Sequence, residues 1–223
     1  VAKIRAMPKK HIEQPSVYKE TIELIEKGKI FLLLTGNSVK SIIEASQYAK
    51  ENGFSLIGID FQIPGIKDSL KSLKRRGQRN LGVFSISTKK EAKIAINAGA
   101  VFVFSTHLDR GIIRRCKKES VFHAIGSLTP TEVFSAHDLR ADAISLFPCG
   151  KMGGLSWFAF LKSIFPRIKF IPTDIMSPFE ASEYLISGAY AVAPIINLET
   201  TKELQKLIEG FLMTRNLIDS MEM

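Results

Sequence analysis

A chain of 223 residues, 45% hydrophobic and 24% charged, can bury one sizeable core, and residues 16–223 are expected to form a single domain behind a basic tail over residues 1–15. The net charge is +9, the strongest apolar run (30–34) is only strand-sized, and the two cysteines, Cys116 and Cys149, are too few for a disulfide framework. Membrane-spanning proteins and disulfide-stapled secreted modules are excluded on these grounds, and a soluble protein of a reducing compartment is expected.

In chain order, the opening through His11 is basic and poor in acids, and Ile4-Arg5-Ala6 followed by Met7 resembles the end of an organellar transit peptide while fitting a surface tail equally well. The expected compartment is an organelle, such as a plastid with its stroma or thylakoid surface, or else the cytoplasm. Ser16 offers a cap and Gly28 a stop for a leading helix over 16–28, expected to plug or brace one end of the domain. Beyond it, β-rich runs alternate with amphipathic stretches. The expected strands span 30–34, 55–60, 80–85, 100–105, 121–125, 143–147, 168–172 and 189–193. The expected helices span 39–52, 65–76, 89–97, 108–118, 131–139, 155–165, 178–187 and 200–219. Two helix starts are well marked: Thr129-Pro130-Thr131-Glu132, and Ser177-Pro178 with Glu180, each combine a cap, a proline at the first helical position and an acid in the first turn. Eight strands each followed by a helix make an α/β fold with a parallel sheet, a (β/α)8 TIM barrel with an additional N-terminal helix.

The sixth strand runs into Ser145-Leu146-Phe147-Pro148-Cys149, and Ala98-Gly99-Ala100, Gly126, Gly153-Gly154, Pro172-Thr173 and Gly188-Ala189 mark the ends of neighbouring elements. From Thr88 to Leu198 this pattern resembles the KDPG/KHG aldolases, class I aldolases of 2-keto-3-deoxy-6-phosphogluconate and hydroxyketoglutarate, whose sixth strand usually ends in Lys-x-Phe-Pro-Ala. The resemblance implies a TIM barrel, a homotrimer, a Schiff-base lysine, a glutamate base, arginines that hold a substrate carboxylate and a glycine-rich phosphate site after strands seven and eight. It implies no cofactor.

At each of those positions the chain departs from the pattern. Ser145 stands where the lysine would be, and a hydroxyl cannot condense with a ketone to an iminium ion. The family's second-strand pattern Leu-Glu-Val-Thr-Leu-Arg-Thr-Pro is matched by Ile57 to Pro64, where Gly58 replaces the base and Gln62 an arginine; Thr35 falls where another arginine is common. After strand seven Asp174-Ile175 replaces two glycines, and Ala193-Pro194-Ile195-Ile196 is expected to replace the last glycine-rich turn. Thr35, Asp60, Ser85, Ser105, His107, Phe147, Thr173 and Asp174 are expected to remain as remnants of a substrate pocket, with His107 facing Asp60, Ser85, Ser105, Ser145 and Asp174 across the mouth. Lys151 is a candidate relocated amine but also reads as a solvated loop lysine, Lys169 sits where the family tolerates a basic residue, and Cys149 reads as a reactive thiol or, more simply, a small buried apolar side chain. His11, His123 and His137 lack metal-ligand spacing, so no metal site is expected.

Charge supplies a second signal. Residues 64–119 hold fourteen Lys or Arg against four acids, whereas the rest of the chain is nearly balanced at 17 against 18. In a barrel this surplus falls on three neighbouring helices and makes one positive arc, carried by Lys71, Lys74, Arg75, Arg76, Arg79, Lys89, Lys90, Lys93, Arg114, Arg115, Lys117 and Lys118. Such an arc is a solvated face, or an attachment surface for an acidic protein in a larger complex or an anionic membrane face. Sequence-specific nucleic-acid binding is not expected, since Tyr and Trp are nearly absent from the window.

Three functions are compatible with these residues: a catalytically inactive aldolase-like docking or structural subunit, a keto-acid lyase with relocated catalytic groups, and a sensor of keto acids or sugar acids.

Overall fold

The computed structural model describes residues 16–75, 80–199 and 204–221; the basic tail, Arg76 and Arg79 lie outside them. The leading helix α1 (Ser16–Gly28) has the bounds read from its cap and stop. Eight parallel strands follow: β1 (Leu32–Thr35), β2 (Ile57–Asp60), β3 (Leu81–Ile86), β4 (Phe102–Ser105), β5 (Phe122–Gly126), β6 (Ala143–Leu146), β7 (Phe170–Asp174) and β8 (Ala193–Asn197). Each pairs with the next, and β8 returns to β1 through Leu33↔Ile195 and Leu34↔Ile196, closing a TIM barrel. The outer helices are α2 (Val39–Glu51), α3 (Ile66–Arg75), α4 (Lys89–Ala98), α5 (Arg110–Lys118), α6 (Pro130–Asp138), α7 (Gly154–Ile164), α8 (Pro178–Ile186) and α9 (Leu204–Met221), with a 3-10 turn at Gly150–Met152.

Strand alternation divides the apolar residues into two cores. Leu32, Leu34, Ile57, Ile59, Val83 and Val103 point outward and pack against the helix ring. Leu33, Phe84, Phe102, Phe104, Phe122 and Ile171 fill the barrel interior, closed at the strand N-termini by Ile25 and Ile22 of α1 and by Phe31. The plugging role expected of the leading helix follows from this contact, and Tyr18 Oη fixes it by donating to Asp142 Oδ1 at 2.8 Å. Interior aromatic pairs meet mostly edge to face: Phe31 lies 5.0 Å from both Phe102 and Phe104, centroid to centroid, which suits their ring quadrupoles.

The helix starts read from sequence are reciprocal capping boxes. Thr129 accepts from Glu132 N while the Glu132 carboxylate accepts from Thr129 N, and Ser177 and Glu180 repeat the exchange. Thr88 and Glu91 form a third.

The last two strands lie further along the chain than expected. β7 reaches Asp174, so Thr173 and Asp174 are strand residues. The eighth strand, expected over 189–193, is β8 at Ala193–Asn197. Residues 189–192 cross the closed end first, with a single bridge between Ile30 and Val192. Pro194 argues against a strand because it lacks an N–H donor, yet it sits in β8 beside Asp174. Ala193-Pro194-Ile195-Ile196 is therefore strand rather than a phosphate-facing turn, with Ile195 turned toward the interior and Ile196 toward the helices.

Candidate functional site

Reacting groups of a TIM barrel gather where strand C-termini and helix N-termini meet. Inside the barrel, below the β2 side of that mouth, Gly58 is in register with Leu33 on β1 and with Gly82 on β3. A Cβ on Gly82 would enter the Phe102 ring; one on Gly58 would collide with Leu33 Cδ2 and lie 3.3 Å from Phe102 Cε2. Two adjacent strand glycines thus let a ring from β4 lie against bare backbone. The position where a general base is expected has no side chain, and apolar groups fill its space.

Polar groups farther out on this side satisfy one another. Thr35 Oγ1 donates to Asp60 Oδ2 at 2.8 Å, Gln62 N donates to Asp60 Oδ1 at 3.0 Å, and Gln62 Nε2 donates to Ser85 O at 2.9 Å. Gln62 joins the β2 loop to Ser85, which has φ 61° where the β3–β4 register shifts. For a residue with a Cβ this left-handed backbone costs about 1–2 kcal/mol, and the hydrogen bond from Gln62 helps to hold it.

The β6–β7 side keeps polar side chains. Buried Ser145 donates through Oγ to Thr173 Oγ1 at 2.9 Å, and Thr173 donates to Ile171 O at 3.0 Å. The buried Asp174 carboxylate accepts from Gly150 N and Ile175 N, both at 2.8 Å. It occupies backbone donors of both adjoining loops with charge-assisted bonds. Ser105 Oγ donates to His107 O at 2.9 Å and accepts from Gly126 N at 3.1 Å.

Between the two sides lies a cavity of about 40 Å³ with apolar walls of Phe84, Phe104, Phe147 and Ile195 and hydroxyls from Ser105, Ser145 and Thr173. Sites for small organic ligands usually enclose ~300–1,000 Å³. Ser85 also lines it, whereas His107, Asp60, Asp174 and Thr35 do not. The expected convergence of His107 with the carboxylates and serines is thus not formed: His107 is exposed, with Nδ1 3.0 Å from Thr106 Oγ1, and Ser145 pairs with Thr173 instead. Lys151 is exposed in the 3-10 turn. Lys169 precedes β7 at the closed end, with Nζ 4.1 Å from the Tyr190 ring centroid and 3.9 Å from Glu26. Cys149 is buried, and burial pushes its thiol up to about 11; the same cause takes buried Cys116 to about 12. Both are poor nucleophiles near neutrality. Among the described residues no three His, Cys, Asp or Glu side chains converge as a metal site, and no helix is long and apolar enough to cross a membrane.

The family model for KDPG and KHG aldolase matches residues 21–208. The chain belongs to this aldolase family. A 2-dehydro-3-deoxy-phosphogluconate aldolase of Haemophilus influenzae is 21% identical over 168 residues, covering 75% of this chain and 79% of that protein. Its counterpart from Zymomonas mobilis is 23% identical over 150 residues, 66% of this chain and 72% of its own. Among solved structures, a 4-hydroxy-2-oxoglutarate/KDPG aldolase superposes with a TM-score of 0.75 at 22% identity, covering 89% of this chain and 98% of its own. A Legionella pneumophila KDPG aldolase, holding pyruvate as a covalent carbinolamine, gives 0.73 at 15% identity over 89% and 96%.

Within this aldolase-family barrel the positive arc takes shape on α3, α4 and α5, which pack side by side. Lys71, Lys74, Arg75, Lys89, Lys90, Lys93, Arg114, Lys117 and Lys118 are exposed. Arg115 is not part of that face: it is tucked in against Glu119, 3.3 Å away, on the same helix. Among the described arc residues only it and Lys71, 4.0 Å from Asp68, have a carboxylate partner. The α7 aromatics divide, with Phe158 fully buried, Trp157 donating to Leu128 O at 3.1 Å and Phe160 49% exposed. Sequence reasoning missed Phe102 and Gly82, although glycines inside two adjacent strands signal close approach of another group.

Proposed function

We propose that this chain is a catalytically inactive member of the KDPG and KHG aldolase family that serves as a docking subunit of a larger assembly. One observation carries the reading: Phe102 packs against Gly58 and Gly82 while Leu33 fills what remains, so the base position is both bare and occupied. Ser145 in the lysine position and a cavity of about 40 Å³ without a cationic lining residue support it. A carboxylate substrate has no counter-charge there, which also disfavours a sensor of keto acids. Lys151, the candidate relocated amine, is exposed and does not line the cavity.

The positive arc supports docking to an acidic protein surface. Large exposed apolar groups that would enter a lipid interface are absent from the described residues of α3, α4 and α5. The test is turnover: purified chain incubated with 2-keto-3-deoxy-6-phosphogluconate and with 4-hydroxy-2-oxoglutarate should release no pyruvate above the uncatalysed rate. Enzyme-like release, abolished by Lys151→Ala, would establish a lyase with a relocated amine instead.

A further inference from the structure

The mouth is not uniform around its circumference. Helices α4 and α5 begin there, so Lys89, Lys90 and Arg110 project at that end of units three and four, all exposed and without an acidic partner. A Cβ on Gly111 would lie 3.1 Å from Lys89 Cβ, which puts the starts of the two helices in contact. The nearby acids are committed elsewhere: Glu91 closes the α4 capping box, and Asp109 caps α5 by accepting from Ile112 N at 2.7 Å.

Units six and seven present the opposite character. Ile175 is 72% exposed and Phe179 71%, while Phe147 is 36% exposed at the cavity edge. Phe147 and Ile175 stand on loops braced by Asp174, which holds Gly150 N and Ile175 N, and Phe179 stands in the first turn of α8, which Ser177 caps. The central cavity joins the two sides, drawing walls from Phe84 and Phe104 of units three and four, Phe147 of unit six and Ile195 of unit eight.

We infer that this mouth is a socket for an acidic, hydrophobic segment of a partner protein, which crosses it with carboxylates toward Lys89, Lys90 and Arg110 and apolar side chains toward Phe147, Ile175 and Phe179, one of them reaching into the cavity. The inference rests on the docking reading above and gives it a place and a ligand chemistry. Charge complementarity identifies the acidic part of the segment. The apolar rim, continuous with an apolar cavity too small for a sugar acid but open to a side-chain tip, identifies the rest. A flat anionic membrane would meet the cations but would leave the cavity unfilled.

The test pans the full chain against displayed random dodecapeptides, then titrates synthesised winners by fluorescence anisotropy. Winners should carry a large apolar residue flanked by acids. Their affinity should fall about tenfold or more in Ile175→Asp and, separately, in the Lys89→Glu/Lys90→Glu double variant. Lys117→Glu/Lys118→Glu, at the far end of α5, should change it by less than about threefold. Thermal melts of these exposed-site variants verify that they fold. Winners without the acidic and apolar pattern, or indifferent to both rim variants, overturn the inference. Self-association abolished by Ile175→Asp assigns the rim to a second copy of the chain and overturns it. Sedimentation with phosphatidylserine vesicles that the double variant loses, without peptide binding, assigns it to a membrane and also overturns it. Keto-acid turnover by the unmodified chain would sink the non-catalytic reading and this inference together, whereas failed panning with no turnover would sink the socket alone.

Discussion

The β2 and β6–β7 sides of the mouth differ in how they depart from the family's pattern. On the β2 side Gly58 stands where the family resemblance leads one to expect a long polar side chain, and Leu33 and Phe102 fill the space beside it. On the β6–β7 side Ser145 and Asp174 are polar, buried and hydrogen-bonded. The first change is one of packing and depends on residues from three strands. The second is a matter of which side chain sits within a hydrogen-bond frame. Restoring one residue can return chemistry to a frame, but it cannot return volume that other side chains occupy.

The largest expected effect tests the packed side. Phe102→Ala should lower unfolding free energy by about 3–5 kcal/mol, read from the urea midpoint. Gly82→Ala should cost about 1–3 kcal/mol in the original chain, because its methyl enters the ring, and close to nothing when Phe102 is already alanine. Additive costs in this double-mutant cycle would mean that the ring does not press on the glycine. On the bonded side Asp174→Ala should cost about 2–3 kcal/mol, by stranding two backbone donors that a carboxylate now satisfies. Ser145→Ala should cost only about 1 kcal/mol, since Thr173 keeps its bond to Ile171 O. A Ser145 effect as large as that of Phe102 would erase the distinction between the two sides.

The smallest effect belongs to the outer ring and is read as pH dependence. Backbone N–H groups of Thr129 and Leu128 hold the Glu132 carboxyl below its ordinary value of 4.5. A depressed acid stabilises the folded state above its unfolded value and loses that contribution as pH falls through the folded one. Melting temperature should therefore drop less steeply below pH 4.5 in Glu132→Gln than in the original chain. Parallel curves would remove the capping carboxylate from the account.

Much of the barrel was legible because its signals are local. Caps such as Thr129 and Ser177 set helix starts, and apolar alternation marked seven strands to within a few residues. The eighth was misplaced because Ala193-Pro194-Ile195-Ile196 was read by resemblance as a turn, whereas closure of the barrel pairs it as a strand with β7 and β1. At the site, the substituted residues could be named from sequence, but their surroundings could not. That Phe102 reaches from β4 across Gly82 to Gly58 is a contact between three strands, and no local pattern encodes it. Asp174 shows the same limit: the sequence places it where glycines are expected, but that its carboxylate accepts from Gly150 N and Ile175 N is set by the fold. Arg115 was counted with the exposed cations because its helix is basic, yet its own i,i+4 acid draws it in.

The most direct test of a mouth without a working amine is covalent trapping. The chain is incubated with pyruvate, reduced with borohydride and weighed intact beside an authentic KDPG aldolase treated identically. The account predicts that the control gains one reduced pyruvate adduct and this chain gains none. A stoichiometric adduct on any lysine of this chain, mapped by peptide digestion and blocked by substrate, would contradict it.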